Sequence, residues 1–287
     1  RVWSQGLHQM IETKEGCALT HGQSTVAQMT FQRFFRRYIW LAGISGTLSD
    51  ARHELAAIYG LRVQSVGLQF ASQRKLLPSR IFAGQAGQWA YVAGTVQRLQ
   101  REGRPVLVAT EGVMDSQALS AMFAQAGIDH DVLNAATNAS EQHIVERAGG
   151  RGAVTISTNI AGRGTDIRLA QQSQHLGGLH VIACQSNDSR RIDRQLYGRS
   201  ARQGQPGSAE HLYRLDQPHC RLSRLALKLA RRMLPSMHAT SEMPRVFLLV
   251  ARLAQSRRSR MLQKQRWNLL LHSLQAESHL AFSGQHE

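Results

Sequence analysis

The stretch "TNIAGRGTDIRL", residues 158–169, follows directly on the apolar run "AVTIST", residues 153–158. The run reads as a strand, and where it ends the chain places two glycines, an arginine and an aspartate. Gly162 and Gly164 lack a Cβ, so the backbone can turn tightly there and come close to a ligand. Arg163 offers a planar fork of donors to a phosphate, and Asp166 can accept a hydrogen bond from a ribose hydroxyl. Taken alone, the same residues also suit a strand-to-helix turn whose polar side chains are merely solvated.

Working outward, strand-like and helix-like segments alternate. "PVLVAT" (105–110), "DVLNA" (131–135), "AVTIST" (153–158), "LHVIAC" (179–184) and "SAEHLYRL" (208–215) read as strands. Between them "MDSQALSAMFAQAG" (114–127), "ASEQHIVERAGG" (139–150) and "DSRRIDRQLYGRSAR" (188–202) read as helices, the first two closing on glycine. Such alternation predicts right-handed βαβ units, hence an α/β fold with a parallel sheet covered on both faces. Ligands in such sheets bind where loops gather at the carboxyl ends of the strands, and the opening motif follows such an end. Beyond residue 218 only helix is expected. "RLSRLALKLARRML" (221–234) has an apolar and a basic face, and a second long helix starts near Pro244.

A second stretch sharpens the site. "QLYGRSARQGQPG" (195–207) places Arg199 and Arg202 three apart at the end of the predicted helix, so that both project toward one target. Paired arginines beside a glycine-bearing strand end suit a polyphosphate, and an arginine so placed stabilises charge developing on a transferred phosphoryl group.

Composition bounds the alternatives. The chain has 287 residues, 42% of them hydrophobic, enough for one large or two modest domains. No run of about 18 apolar residues occurs, "VFLLVA" (246–251) being broken by Arg245 and Arg252, so no membrane span is expected. Cys17, Cys184 and Cys220 are far apart, which indicates neither a disulfide framework nor a zinc site and suits a reducing compartment. The 13 histidines are scattered, and none is assigned to a metal. The first residue is Arg1, with no charged-then-apolar leader after it. Net charge is +16, and from residue 219 onward twelve Lys and Arg stand against three Glu and no Asp. That tail suits an anionic membrane surface or another acidic partner.

"TNIAGRGTDI", "GGLHVIACQSNDSRRIDRQL" and "GRSARQGQPGS" resemble the late motifs of SecA, the ATP-driven motor of bacterial preprotein translocation. Upstream, "RVWSQGLHQMIETKEG" (1–16) resembles the end of that family's preprotein-crosslinking domain. "TFQRFFRRYIWLAGISGTLSD" (30–50) resembles the last segment of its first nucleotide-binding domain, with the motif "SGT". The resemblance implies a RecA-like second nucleotide-binding domain over residues 61–218, preceded by 1–20 and 21–60 from those two domains and followed by a helical scaffold-like segment over 219–287. It further implies ATP as cofactor, bound by Gly162, Arg163, Gly164 and Asp166, with Asp166 on the ribose, and Arg199 and Arg202 as arginine fingers. Preproteins and a SecYEG-type channel become the implied partners, and the cytoplasmic side of the membrane the implied location, the protein lying peripherally there. The family pattern usually has an arginine at Tyr197, a glycine at Ala201 and an aspartate at Gln205.

No G-x-x-x-x-G-K-[ST] loop and no acidic pair after a strand occur in the 287 residues, so the phosphate cradle and the Mg²⁺ site are expected from another half of the motor. The isolated chain is accordingly expected not to hydrolyse ATP. Two rival readings are a superfamily 2 nucleic-acid helicase fragment and a degenerate, non-catalytic SecA-like adaptor. The residues at 1–16 oppose the helicase and make nucleic acid a poor candidate partner; the retained Arg163, Asp166, Arg199 and Arg202 oppose the adaptor.

Overall fold

A computed structural model describes residues 6–21, 29–134, 141–158, 166–216, 228, 232 and 242–281, with side chains to 275. Its centre is a seven-stranded, wholly parallel sheet: β1 (Gln73–Leu76), β2 (Arg80–Phe82), β3 (Val106–Thr110), β4 (Asp131–Leu133), β5 (Val154–Thr158), β6 (Leu179–Ala183) and β7 (Pro206–Arg214). The order is β4-β5-β3-β6-β7-β1, with β2 pairing further along β7 at Leu212–Arg214. β3 lies in the middle, Val106 opposing Val154 on one side and His180 on the other.

Every residue of β3, β5 and β6 is buried, as expected of strands covered on both faces. Alternate residues feed two cores. Val106 and Val108 of β3 pack with Val92, Val96 and Leu99 of α4 (Gln85–Arg101) and with Leu119 and Phe123 of α5 (Val113–Gln125). Leu107 and Ala109 face the other way, toward Ile144 and Val145 of α6 (Glu141–Arg147) and Leu196 of α8 (Arg190–Tyr197). Each fully buried Val, Leu, Ile or Phe in these layers contributes about 1.5–3 kcal/mol.

The five strands and three helices read from the alternating pattern are all present, some shorter than expected. The sequence reading omitted β1, β2, α4 and α7 (Gln171–His175), as well as α1 (Leu7–Lys14), α2 (Phe31–Arg36) and α3 (Arg52–Tyr59) before the sheet. A 3₁₀ turn, Leu48–Ala51, leads into α3. The long helix near Pro244 is α9 (Phe247–Ala281). Its first turns join a third apolar cluster, Leu248 and Ala251 against Ile81, Tyr213 and Leu215 at the edge of the sheet. The amphipathic helix expected at 221–234 lies outside the described residues, apart from helical Lys228 and Arg232.

One expectation is corrected. The helix predicted over 188–202 ends at Tyr197. There the bonding tightens to i→i−3, Arg199 N–H donating to Leu196 O and Ser200 N–H to Tyr197 O, both at 3.0 Å. Ala201 and Gln203 then take left-handed φ of 52° and 51°, conformations costly for residues with a Cβ. Arg199 and Arg202 therefore stand on a turn beyond the helix, and helical spacing does not set their directions.

Candidate functional site

A cleft of about 1270 Å³ runs along α8. One wall is the carboxyl end of β5, Ser157 and Thr158, together with α8 and the turn 198–204; the other is Ser45, Gly46 and Thr47 with residues 68–76. The turn precedes β7, so the cleft extends from the carboxyl edge of the sheet along the flank of α8. Four arginines line it: Arg74, Arg194, Arg199 and Arg202.

The turn is fixed from several sides. Arg74 donates twice to the carbonyl of Ser200, Nε at 3.2 Å and Nη2 at 2.9 Å. Gln73 Nε2 donates to Gly204 O at 2.7 Å, and Arg202 Nε to Gly198 O at 2.9 Å. A Cβ on Gly207 would come within 2.6 Å of Ala201 N, so only glycine at the start of β7 allows the turn to lie so close. These contacts hold the left-handed residues in place, as stored backbone strain requires.

Asp166 meets Arg202: its Oδ1 accepts from Arg202 Nη1 at 2.5 Å, both side chains being partly exposed. The structure thus brings Arg199, Arg202 and Asp166 together at one end of the cleft. Gly162, Arg163 and Gly164 lie outside the described residues. Sequence reasoning missed Arg74 and Arg194. Arg194 sits inside a motif already quoted, but Arg74 lies in a short charged edge strand that gave no periodic signal.

The opposite wall is tied across. Arg194 pairs with Asp50 at 3.3 Å and donates to Ser49 Oγ at 3.3 Å, while Gln195 Nε2 reaches Thr47 Oγ1 at 3.4 Å. Burial, and next the positive charge of Arg202, lower the pKa of Arg74 below the usual arginine value. An anion entering the cleft would relieve that repulsion. Beneath α8, the Tyr197 hydroxyl and His211 Nδ1 share a 2.6 Å hydrogen bond, and the His211 ring stacks on Tyr213 at 4.0 Å. Burial lowers the pKa of His211 below the usual imidazole value.

A family model described as the SecA P-loop domain matches residues 71–176 and 170–225, and one described as the SecA DEAD-like domain matches 3–56. The chain belongs to the SecA family. Protein translocase subunit SecA 2 of Nitrosospira multiformis is 49% identical over 216 residues, 75% of this chain and 32% of that protein. Protein translocase subunit SecA 3 of Magnetococcus marinus is 42% identical over 293 residues, 100% of this chain and 44% of that protein. The chain therefore spans about a third to under half the length of these curated relatives. Among solved structures, the E. coli DEAD-box protein SrmB is 20% identical with a TM-score of 0.40, covering 52% of this chain and 80% of that one.

The SecA-like chain is an α/β protein with the parallel, helix-flanked sheet of RecA-like domains. Among the described residues no helix is long and apolar enough to cross a membrane. Nor does any group of three His, Cys, Asp or Glu among them stand ready to hold a metal ion.

Proposed function

We propose that this SecA-like chain forms one wall of an ATP cleft in a preprotein translocase motor. In this reading Arg199 and Arg202 act on the terminal phosphate as arginine fingers. Gly162, Arg163, Gly164 and Asp166 line the nucleotide, and Arg74 adds positive charge to the cleft beside the arginine turn. The observation that carries the reading is the cleft itself. In a family whose matched model is a P-loop domain, four arginines converge on a cavity large enough for a nucleotide, and one of them is depressed by burial and by its neighbour.

The residues fit a triphosphate: fixed cationic forks can stabilise charge as it grows on the terminal phosphoryl, at little reorganisation cost. Asp166 enters through its ion pair with Arg202, so it steers that guanidinium as well as standing near the ribose position. Since the chain carries no glycine-lysine loop and no acidic pair, Mg²⁺ and the phosphate cradle are assigned to a partner half. The complete motor would sit at the cytoplasmic face of the membrane, moving preproteins through a SecYEG-type channel, with the basic tail available to anionic lipid.

The test is ATP hydrolysis by the chain joined to a half that supplies the glycine-lysine loop. Stimulation by an unfolded secretory polypeptide, and not by RNA or DNA, is the expected result. Stimulation by nucleic acid alone would favour the helicase reading, and no nucleotide binding at all the adaptor reading.

A further inference from the structure

The helix that carries the arginine turn is weakly anchored by its own sequence. α8 has eight residues, too few to persist alone, and buries only Asp193 and Leu196. Leu196 packs into the sheet. Asp193, 4% exposed, is held from the long helix: Gln255 Nε2 donates to its Oδ2 at 2.6 Å and to the carbonyl of Asn187 at 3.0 Å. Asn187 Nδ2 donates to the other carboxylate oxygen at 2.7 Å. Gln255 is itself 6% exposed, so both amide hydrogens are spent on this contact away from water. Removing such a donor would leave a buried carboxylate short of a partner, which costs far more than losing an exposed bond.

The same face of α9 also holds α2 and α3, which flank the segment that supplies the other wall of the cleft. Arg266 and Ser273 follow Gln255 by about three and five helical turns, hence on one side. Arg266 binds Glu54 through two bonds of 2.7 and 2.9 Å, and Arg33 Nη1 donates to Ser273 O at 3.2 Å. Glu54 lies on α3, just after the segment that supplies Ser45–Thr47 to the cleft.

We propose that Gln255 is a positioning residue: by holding Asp193 it fixes α8, and through α8 the turn that presents Arg199 and Arg202. A displacement of α9 would then loosen the arginine turn, and a nucleotide that orders the turn would tighten the helix in return. The role rests on the ATP-cleft reading above.

Hydrogen exchange on the 287-residue chain tests it. Gln255→Glu sets a second carboxylate against Asp193. Exchange over residues 190–205 should rise about tenfold while β3, β5 and β6 stay protected. The double variant Asp193→Asn with Gln255→Glu reverses donor and acceptor at the Asp193 bond, though not at the Asn187 carbonyl, and should restore part of the protection. Unchanged exchange over 190–205, loosening of the whole sheet, or failure of the double variant to rescue would each overturn the clamp. Millimolar ATP should slow exchange over 198–205 in the unaltered chain. If it does not, the nucleotide reading falls, and the role of the clamp with it. If ATP protects but Gln255→Glu changes nothing, the clamp alone falls.

Discussion

Arg202 is held from two sides, by the Gly198 carbonyl and by Asp166, whereas Arg74, lining the cleft with residues 68–76, binds the turn through the Ser200 carbonyl. In the complete motor, Arg199→Ala and Arg202→Ala should each lower turnover on the order of 10³-fold with little change in nucleotide affinity, because fingers act on charge that grows in the transition state. Steady-state kinetics beside equilibrium binding separates the two quantities; lost affinity at unchanged turnover would make the arginines structural. The ion pair adds a further expectation. It is partly exposed and so contributes about 0.5–1 kcal/mol, yet it orients Arg202, so Asp166→Ala should cost little once Arg202 is already alanine. A double-mutant cycle in turnover checks this, and strict additivity would place Asp166 elsewhere in the mechanism. A neighbouring residue ties the fold to pH. The pKa of buried His211 is lowered, so between that value and the unfolded value near 6.5 the unfolded chain binds more protons than the folded one. Stability is therefore lost as pH falls through 6.5 toward the folded pKa. His211→Asn, which keeps an acceptor for Tyr197, should flatten that slope in denaturant melts taken across the acid range.

At the scale of elements, the close approach of the arginine turn to β7 sets an expectation for Gly207. A Cβ there meets backbone, which cannot swing aside, so Gly207→Ala should cost about 1–3 kcal/mol and lower Tm. An unchanged Tm would mean that the turn shifts freely and is not held as described. The central strands were legible in the sequence because burial on both faces makes them short apolar runs, as in "PVLVAT" and "LHVIAC". The edge strands β1 and β2 were not, since "QRKL" is charged and takes its shape from pairing with β7. The end of α8 was misread for a related reason: the residue types in "YGRSARQ" do not announce left-handed Ala201 and Gln203, and the glycine that the resembled family usually has at position 201 was the one signal of a residue that takes such a φ freely. The polar part of the inner stripe of α9 was also hidden: beside the apolar Leu248, Ala251 and Leu270, Gln255, Arg266 and Ser273 make their contacts through polar groups, which apolar periodicity does not register.

Over the whole molecule, apolar surface is distributed unevenly. The sheet buries its own faces, but the segment around α2 leaves Phe31, Ile39, Trp40 and Ile44 at 79%, 91%, 91% and 99% exposure. These exposed side chains are close in sequence and precede the residues that supply Ser45–Thr47 to the cleft. The 287 residues contain no G-x-x-x-x-G-K-[ST] loop, so the arginines stand without that phosphate cradle. Binding and chemistry should then separate. Fixed arginines attract a triphosphate without a partner, so the isolated chain should bind ATP, weakly, and more weakly still as salt screens the arginines. Hydrolysis needs the metal and cradle that neutralise the phosphates during bond breaking, so the same preparation should show no turnover above background. Titration with a fluorescent ATP analogue beside a phosphate-release assay measures both. Turnover well above background that disappears with Arg199→Ala would contradict the one-wall reading, because it would require a complete phosphate site within these 287 residues.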